Sequence, residues 1–347
     1  MTKAKDFSII KHEGCVLDSG TPEKRGKLMY RIGIDLGGTN IAAGIVDSAY
    51  CIVHKASVPT EAQRPAEQIA ASIAELCHRI CKEYGITVED IDSVGIASPG
   101  ICNHDTGVVE YANNLPFHKF AICDLIAKDF PAKEFHIEND ANAAAWGEAI
   151  AGAAKGSANS VMITLGTGVG GGIIIDHKVY SGFNYAGAEL GHIVIVKDGV
   201  PCSCGRKGCW EAYSSATALI RMTREKIEEC EKSGRATLMA QIVAEKGKVS
   251  GRTAFDAMRA GDEAAKEVVD SYIDYLALGL GNVINIFQPE VLSLGGGVSG
   301  EGQYLLDLLI PKVRAEQYGG GIVKLTDIRI AQLGNDAGIV GSAVLGL

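Results

Sequence analysis

The sequence has no apolar run approaching the ~20 residues that a helix needs to cross a bilayer. Its first residues, MTKAKDFSIIKHEGC, lack the long apolar core of an export signal. Both absences lead to the expectation of a cytoplasmic chain with no membrane partner. Basic residues are in deficit, since 33 Lys and Arg against 42 Asp and Glu leave a net charge of -9. This balance argues against a nucleic-acid or anionic-membrane surface, which needs a basic patch. It leaves phosphate binding open, because backbone N–H groups bind phosphates without Lys or Arg. Aromatics are scarce at 6%, whereas apolar residues reach 47% and glycines number 43. That combination suits an α/β protein with many tight strand-to-loop turns better than a disordered or fibrous chain. The pattern G-x-x-x-x-G-K-[ST] occurs nowhere, which excludes a P-loop. In a reducing compartment, most of the ten cysteines read as small buried hydrophobes and not as a disulfide framework.

At 347 residues, two domains are expected. Residues 1–28 are polar and without clear periodicity, and read as a loose extension with Met29 as a natural beginning. From Tyr30 the pattern alternates: YRIGIDLGGTN is a strand ending in a glycine turn, IAAGIVD its hairpin partner, and YCIVHKASVP a third strand. In RPAEQIAASIAELCHRICKEYG, the spacing of Ile69, Ile73, Leu76 and Ile80 predicts a helix closed by Gly85. DSVGIASPG and EFHIEND read as buried strands, and ANAAAWGEAIAGAA as an Ala-rich helix. The second half begins again in the same way, with SVMITLGTGVGGGIIID echoing RIGIDLGGTNIAAGIVD. Further on, a long helix precedes the strand PEVLSLGGGVSG, and the chain ends in a strand, a turn and a helix. Two strand–turn–strand units facing one cleft suggest a duplicated α/β domain.

DLGGTN (Asp35 to Asn40) and LGTGVGGG (Leu165 to Gly172) let backbone N–H groups approach a phosphate closely. A single such turn is as readily an ordinary hairpin; recurrence at matching places in the two halves weakens that alternative. Gly166, Gly168 and Gly171 also fit G-x-G-x-x-G, but the β-branched GIIID follows where a dinucleotide site needs a helix. Asp140 stands where a strand ends and a helix begins. Local sequence leaves two roles open there, a general base reaching into a cleft or one of several possible helix caps. The stretch CSCGRKGCWEAY places Cys202, Cys204 and Cys209 together, ten residues after His192. One imidazole and three thiols match a closed tetrahedral zinc site, and the two glycines supply the tight turns. A disulfide fails on the odd count and on the reducing compartment. A ring nitrogen of His192 not spent on zinc, together with Glu189 and Glu211 nearby, suits a ligand rich in hydroxyls. Surface solvation is the ordinary alternative for each glutamate.

Taken together, DLGGTN, NNLP, ENDANAAA, LGTGVGGG, AELGH, CSCGRKGCWE and LGGGV resemble the motifs of the ROK family of sugar kinases and sugar-responsive repressors. They occur in family order from Tyr30 onward. The resemblance implies an α/β fold of two ribonuclease-H-like (actin-like ATPase) domains around a central cleft. The smaller domain would span 29–138 and the larger one, with the zinc motif, 139–329, while 330–347 would return to the smaller. The sugar would lie between the domains and ATP mainly on the larger. Asp140 would be the base that deprotonates the attacking sugar hydroxyl. Asp35, Gly37, Gly38, Thr39 and Asn40 would embrace the β- and γ-phosphates, with Asp35 near Mg²⁺. Gly166, Thr167 and Gly168 would form the second phosphate turn, and Gly296 and Gly297 would lie by the nucleoside. The sugar would be gripped by Gly100, Asn113, Asn139, Asp140, Glu189, His192 and Glu211. Zinc, in a structural role, would sit on His192, Cys202, Cys204 and Cys209.

The resemblance further implies an ATP-dependent hexose kinase with glucose as the expected acceptor, N-acetylmannosamine, N-acetylglucosamine, fructose and allose remaining alternatives. A homodimer or homotetramer is expected. The family's repressors carry a DNA-binding domain of about 60–80 residues before the first glycine turn, so that reading is disfavoured here. A catalytically silent sugar sensor is the remaining rival, disfavoured because Asp140 and both phosphate turns are intact.

Overall fold

A computed structural model describes residues 29–347. The expectations for residues 1–28 lie outside it. Three sheets organise the chain, and the two large ones repeat one topology. The first contains β1 (Tyr30–Leu36), β2 (Asn40–Val46), β3 (Ile52–Pro59), β4 (Ile91–Ser98) and, further along the chain, β8 (Glu134–Asn139), in the order β3-β2-β1-β4-β8. Between β4 and β8 a small antiparallel sheet is formed by β5 (Ile101–Asn103), β6 (Val108–Tyr111) and β7 (His118–Phe120). The second large sheet contains β9 (Ser160–Leu165), β10 (Val169–Ile175), β11 (Lys178–Val179), β12 (Val291–Gly295) and β13 (Asp327–Ile330), in the order β11-β10-β9-β12-β13. In each, three antiparallel strands are followed by two that join in parallel. The duplication suggested by the two glycine turns is therefore present in the strand order itself.

Helices cover these sheets according to the alternation of their strands. Helix α1 (Ala66–Tyr84) buries Ile69, Ile73, Leu76 and Ile80 along one stripe and ends at Gly85 in a left-handed cap. That stripe shares a core with Ile32, Ile34, Ile41 and Ile45 of β1 and β2, and with Ile122 and Ile126 of α2 (Ile122–Asp129). In the second half, Val161, Ile163 and Leu165 of β9 share a core with a large helical layer. That layer comprises α4 (Glu211–Ser214), α5 (Ala216–Ser233), α6 (Leu238–Lys246), α7 (Thr253–Arg259), the long α8 (Glu263–Phe287) and α9 (Gln303–Glu316). Met162, on the opposite face of β9, belongs instead to a cluster with Ala145 and Trp146 of α3 (Asp140–Ala151).

The halves are joined through α3 and the last helix, α10 (Ala337–Ala343), which pack on each other. Helix α3 lies on β9 and β10, and α10 lies on β1 and β4. The face of the first sheet beneath α10 is a stripe of Gly33, Gly44 and Gly95, paired in register. Any side chain would hold the helix off: a Cβ on Gly95 would fall 1.8 Å from the Ser342 carbonyl oxygen, and one on Gly33 1.8 Å from that of Ile339. Gly95→Ala is therefore expected to destabilise by about 1–3 kcal/mol through overpacking, read as a lowered thermal midpoint. An unchanged midpoint would show that α10 can shift freely.

Candidate active site and metal centre

Asp140 opens α3, and the question of its role turns on who caps that helix. Asn139 does: its side-chain oxygen accepts from the N–H groups of Ala141 at 2.9 Å and Asn142 at 3.3 Å, while its amide donates to the Gly100 carbonyl at 3.1 Å. Asp140 Oδ1 shares the Ala141 N–H at 2.9 Å, whereas the Asn142 N–H is capped by Asn139. Asp140 remains accessible from the cleft but is surrounded by protein. Burial raises its pKa, against opposing hydrogen bonds from Ala141, its own N–H and Asn139.

Asp35, at the end of β1, is pushed up to about 6 by burial and then by the charges of Asp140 and Asp336. Of these neighbours, Asp336 is already paired with the Lys55 ammonium at 2.7 Å, which leaves Asp35 and Asp140 as the carboxylates open to a cation. The turn that follows is closed by the Gly37 N–H donating to the Asn40 carbonyl at 2.9 Å, and Thr60 donates to the Gly37 carbonyl at 2.6 Å. In the second half, the Gly166 N–H bonds the Gly168 carbonyl at 3.0 Å, and Thr217 donates to the Thr167 carbonyl at 2.7 Å. Gly296 abuts the backbone of Leu165, so the ends of β12 and β9 bring Gly296 beside the second glycine turn; Gly297 is next to it and open. A concavity of about 700 Å³ lined by Gln288, Glu290, Tyr318 and Ile322 lies toward the opposite end of β12.

Glu189 precedes the short turn Leu190–His192. Its pKa is raised by burial, and its charged neighbours are His192, Asp140 and Glu211. Glu189 therefore lies within electrostatic reach of His192, Asp140 and Glu211. Glu211 has a further attachment: one oxygen accepts the Val169 N–H at 3.0 Å and the other the Ser203 hydroxyl at 3.3 Å. It therefore links the cysteine motif to the second glycine turn. Asn113 is exposed, bonded to the Tyr111 hydroxyl at 3.3 Å and near Asn114 at 3.5 Å. No contact joins it to the Asp140 group; it stands on the loop after β6, near Gly100.

His192, Cys202, Cys204 and Cys209 present donor atoms that all lie within 4.8 Å of one another. The Cys204 and Cys209 sulfurs are 3.6 Å apart, and the Cys202 sulfur is 3.7 Å from His192 Nδ1. A tetrahedron with metal–sulfur bonds of ~2.3 Å has edges near ~3.8 Å, so the donor set fits zinc. The knuckle is built by the glycines: Gly208 has a φ of +79°, and a Cβ there would fall 1.7 Å from the Val196 carbonyl. Its anchor carries no metal ligand and was not expected from the motif. Trp210 is fully buried, packs against Gly279 of α8, and donates to the Tyr275 carbonyl at 3.1 Å. A tryptophan directly after the last cysteine is the signal that could have found it. Glu148 was equally unexpected, a fully buried carboxylate that accepts from the Ala153, Gln332 and Leu333 N–H groups. It pins the chain leading to α10. The free cysteines outside the knuckle, Cys77, Cys81, Cys102, Cys123 and Cys230, are all buried, as small hydrophobes should be.

Two sheets of one topology, joined through packed helices, with a glycine turn after the first strand of each, define the actin-like ATPase fold of the ribonuclease-H-like type. The chain belongs to the ROK family, whose model matches residues 31–347. It is 36% identical over 319 residues to a glucokinase of Streptomyces coelicolor, covering 90% of this chain and 96% of the other. A glucokinase of Thermotoga maritima is 36% identical over 313 residues, covering 90% and 95%. Among solved structures, a ROK family glucokinase from Streptomyces griseus in complex with glucose and AMPPNP matches at a TM-score of 0.75 and 34% identity, over 91% of this chain and 98% of the other. Among the described residues no helix is long and apolar enough to cross a membrane.

Proposed function

We propose that this protein transfers the γ-phosphoryl group of ATP to the 6-hydroxyl of glucose, with Asp140 as general base. The observation that carries the reading is the Asp140 carboxylate, at the start of a helix that Asn139 caps, near enough to Asp35 and Glu189 for its charge to act on both. The similarity to glucokinases, one of them solved with glucose and an ATP analogue, supports both substrates.

Phosphoryl transfer asks a protein for positioning and charge stabilisation more than for covalent chemistry. Glu189, His192, Glu211, Asn139, Asn113 and the backbone at Gly100 would hold the sugar hydroxyls so that one faces the γ-phosphorus. Asp140 would take that hydroxyl's proton as the new phosphorus–oxygen bond forms and the bond to ADP breaks. The turns at Gly37–Asn40 and Gly166–Gly168 would offer N–H groups to the phosphates, and Gly296–Gly297 would flank the nucleoside. Asp35 would hold Mg²⁺, which neutralises phosphate charge when bound. Zinc, held by His192, Cys202, Cys204 and Cys209, would fix the orientation of the His192 ring and the start of α4 at Glu211.

The test is ADP release by purified protein with Mg-ATP against glucose, mannose, fructose, N-acetylglucosamine and N-acetylmannosamine. Glucose is expected to give the highest kcat/KM; preference for an N-acetylated sugar would keep the chemistry and overturn the acceptor. No turnover with any sugar would sink the kinase reading. Zinc has its own check. Cys209→Ser is expected to lose one zinc per chain by elemental analysis and to raise the glucose KM about 10–100-fold. Full zinc content in that variant, or an unchanged KM without zinc, would contradict the assigned role.

A further inference from the structure

Tyr185 has no part in the chemistry above, yet its backbone is costly to maintain. Its φ is +64°, as is that of Ala188 three residues on. Non-glycine residues avoid this region because Cβ crowds the carbonyl. Tyr185 belongs to the second half of the chain, in the segment between β11 and the turn bearing His192. Its hydroxyl nevertheless donates to Asp105 Oδ2 at 2.7 Å, in the turn between β5 and β6 of the first half. The ring of the adjacent His104 meets the Tyr185 ring edge to face, with centroids 4.9 Å apart and planes at 82°.

His104 has a carboxylate at each ring nitrogen, Glu138 3.3 Å from Nδ1 and Asp105 3.5 Å from Nε2. An ionised carboxylate only accepts, so both contacts are made together when the ring carries two protons. The Glu138 hydrogen bond holds the His104 pKa above its ordinary value, against partial burial. Glu138 is 3% exposed, and its other oxygen receives the Asn139 N–H at 2.8 Å and the Asn142 amide at 3.1 Å. A continuous set of contacts therefore runs from Tyr185, through Asp105, His104 and Glu138, to the residue that caps the helix of Asp140.

We propose that Tyr185, Asp105 and His104 form a clasp that fastens the two halves over the sugar side of the cleft. Tyr185 is thereby a positioning residue for the acceptor sugar, a role that rests on the kinase reading above. Glu189 lies four residues beyond Tyr185, so a fastened segment holds that carboxylate over the sugar and keeps water from the γ-phosphate. The hydroxyl–carboxylate bond is open to solvent, where a hydrogen bond contributes little net stability. It biases closure without locking it, so sugar binding and fastening reinforce each other.

The experiment compares Tyr185→Phe, Asp105→Ala and the double variant in zinc-loaded, full-length protein. Tyr185→Phe keeps the ring contact with His104 and removes one hydroxyl. Each single variant is expected to raise the glucose KM about 3–10-fold, the scale of one lost hydrogen bond, with kcat within about twofold. ATP hydrolysed per sugar phosphate formed should rise as well, a leak that loss of fold stability alone does not produce. Asp105→Ala also removes the carboxylate beside His104 Nε2, so the double variant should be no worse than Asp105→Ala alone, in which the Tyr185–Asp105 bond is already gone. A KM within about twofold of the parent in Tyr185→Phe, or additive losses in the double variant, overturns the clasp. Equilibrium glucose binding by calorimetry on the same variants keeps the two ideas separable. If the parent binds glucose without turning it over, the kinase reading fails, and the clasp still stands or falls on whether Tyr185→Phe weakens binding.

Discussion

Asp140→Asn should lose about 10²–10⁴-fold in kcat with glucose while its KM for glucose and ATP changes little. That range is what a positioned general base contributes. The split follows from what the substitution spares. An asparagine oxygen can still accept the Ala141 N–H, now at 2.9 Å from Asp140, and Asn139 continues to cap α3. Only the ability to take a proton in the transition state is removed, so kcat and kcat/KM should fall together. The pH dependence gives a second reading. Burial raises the Asp140 pKa, and the base works as a carboxylate. Parent activity should therefore decline as pH falls through a value above the ordinary aspartate range, earlier than an exposed carboxylate would impose. The residual activity of Asp140→Asn should lack that limb. A variant within about tenfold of the parent, or one retaining the same acid limb, would move the base elsewhere.

Asp35→Asn should do two opposite things, abolishing most turnover while making the folded protein more stable at neutral pH. The folded-state pKa of Asp35 is about 6, against an ordinary 3.8. A carboxylate whose pKa is raised by folding binds its proton more tightly in the native state. Its contribution to stability therefore falls as pH rises from about 4 to about 6, and stays lowered above that window. The charge costs the folded state at most about 3 kcal/mol, and partial solvent access reduces this toward about 1–2. Removing it should lift the thermal midpoint by several degrees at neutral pH. Near pH 4 the two proteins should melt together. The melts are to be run without Mg²⁺ or nucleotide, because a bound cation would offset the same repulsion in the parent. Equal midpoints from acid to neutral pH would show that Asp35 is not strained by Asp140 and Asp336.

The expectation of two repeated α/β units came from local signals, and each has a local physical cause. The short apolar, β-branched runs on either side of Gly37 and Gly166 read as strand–turn–strand because strands covered on both faces bury nearly every side chain. The stripe of Ile69, Ile73, Leu76 and Ile80 reads as a helix because a helix covered along one side buries one stripe. The cluster of candidate metal ligands was legible because three cysteines and their glycines sit within eight residues, a spacing that one metal can span. The small sheet of β5, β6 and β7 was not legible, since three- and four-residue strands carry too little periodicity to stand out. The helices α5, α6 and α7 were obscure for related reasons: the polar face of α5 dominates its stretch, α6 and α7 span only 9 and 7 residues, and only the core around α8 shows which residues turn inward.

What the amino-acid order determined by itself was therefore whatever is written in consecutive residues: the glycine turns, the metal knuckle, the strand and helix periods, and the family resemblance they carry. What only the tertiary structure decided was how distant segments divide the work. Asn139 or Asp140 could each have capped α3; the Gly100 carbonyl, thirty-nine residues earlier, accepts from the Asn139 amide and so turns the Asn139 oxygen toward the helix. Glu211 reads as a sugar ligand from its motif, yet the fold also ties it to Val169, forty-two residues before. The pairing of Tyr185 with Asp105 joins residues eighty apart with no shared motif. Such contacts leave no local pattern, because their energy depends on distance in space between groups whose separation along the chain is arbitrary.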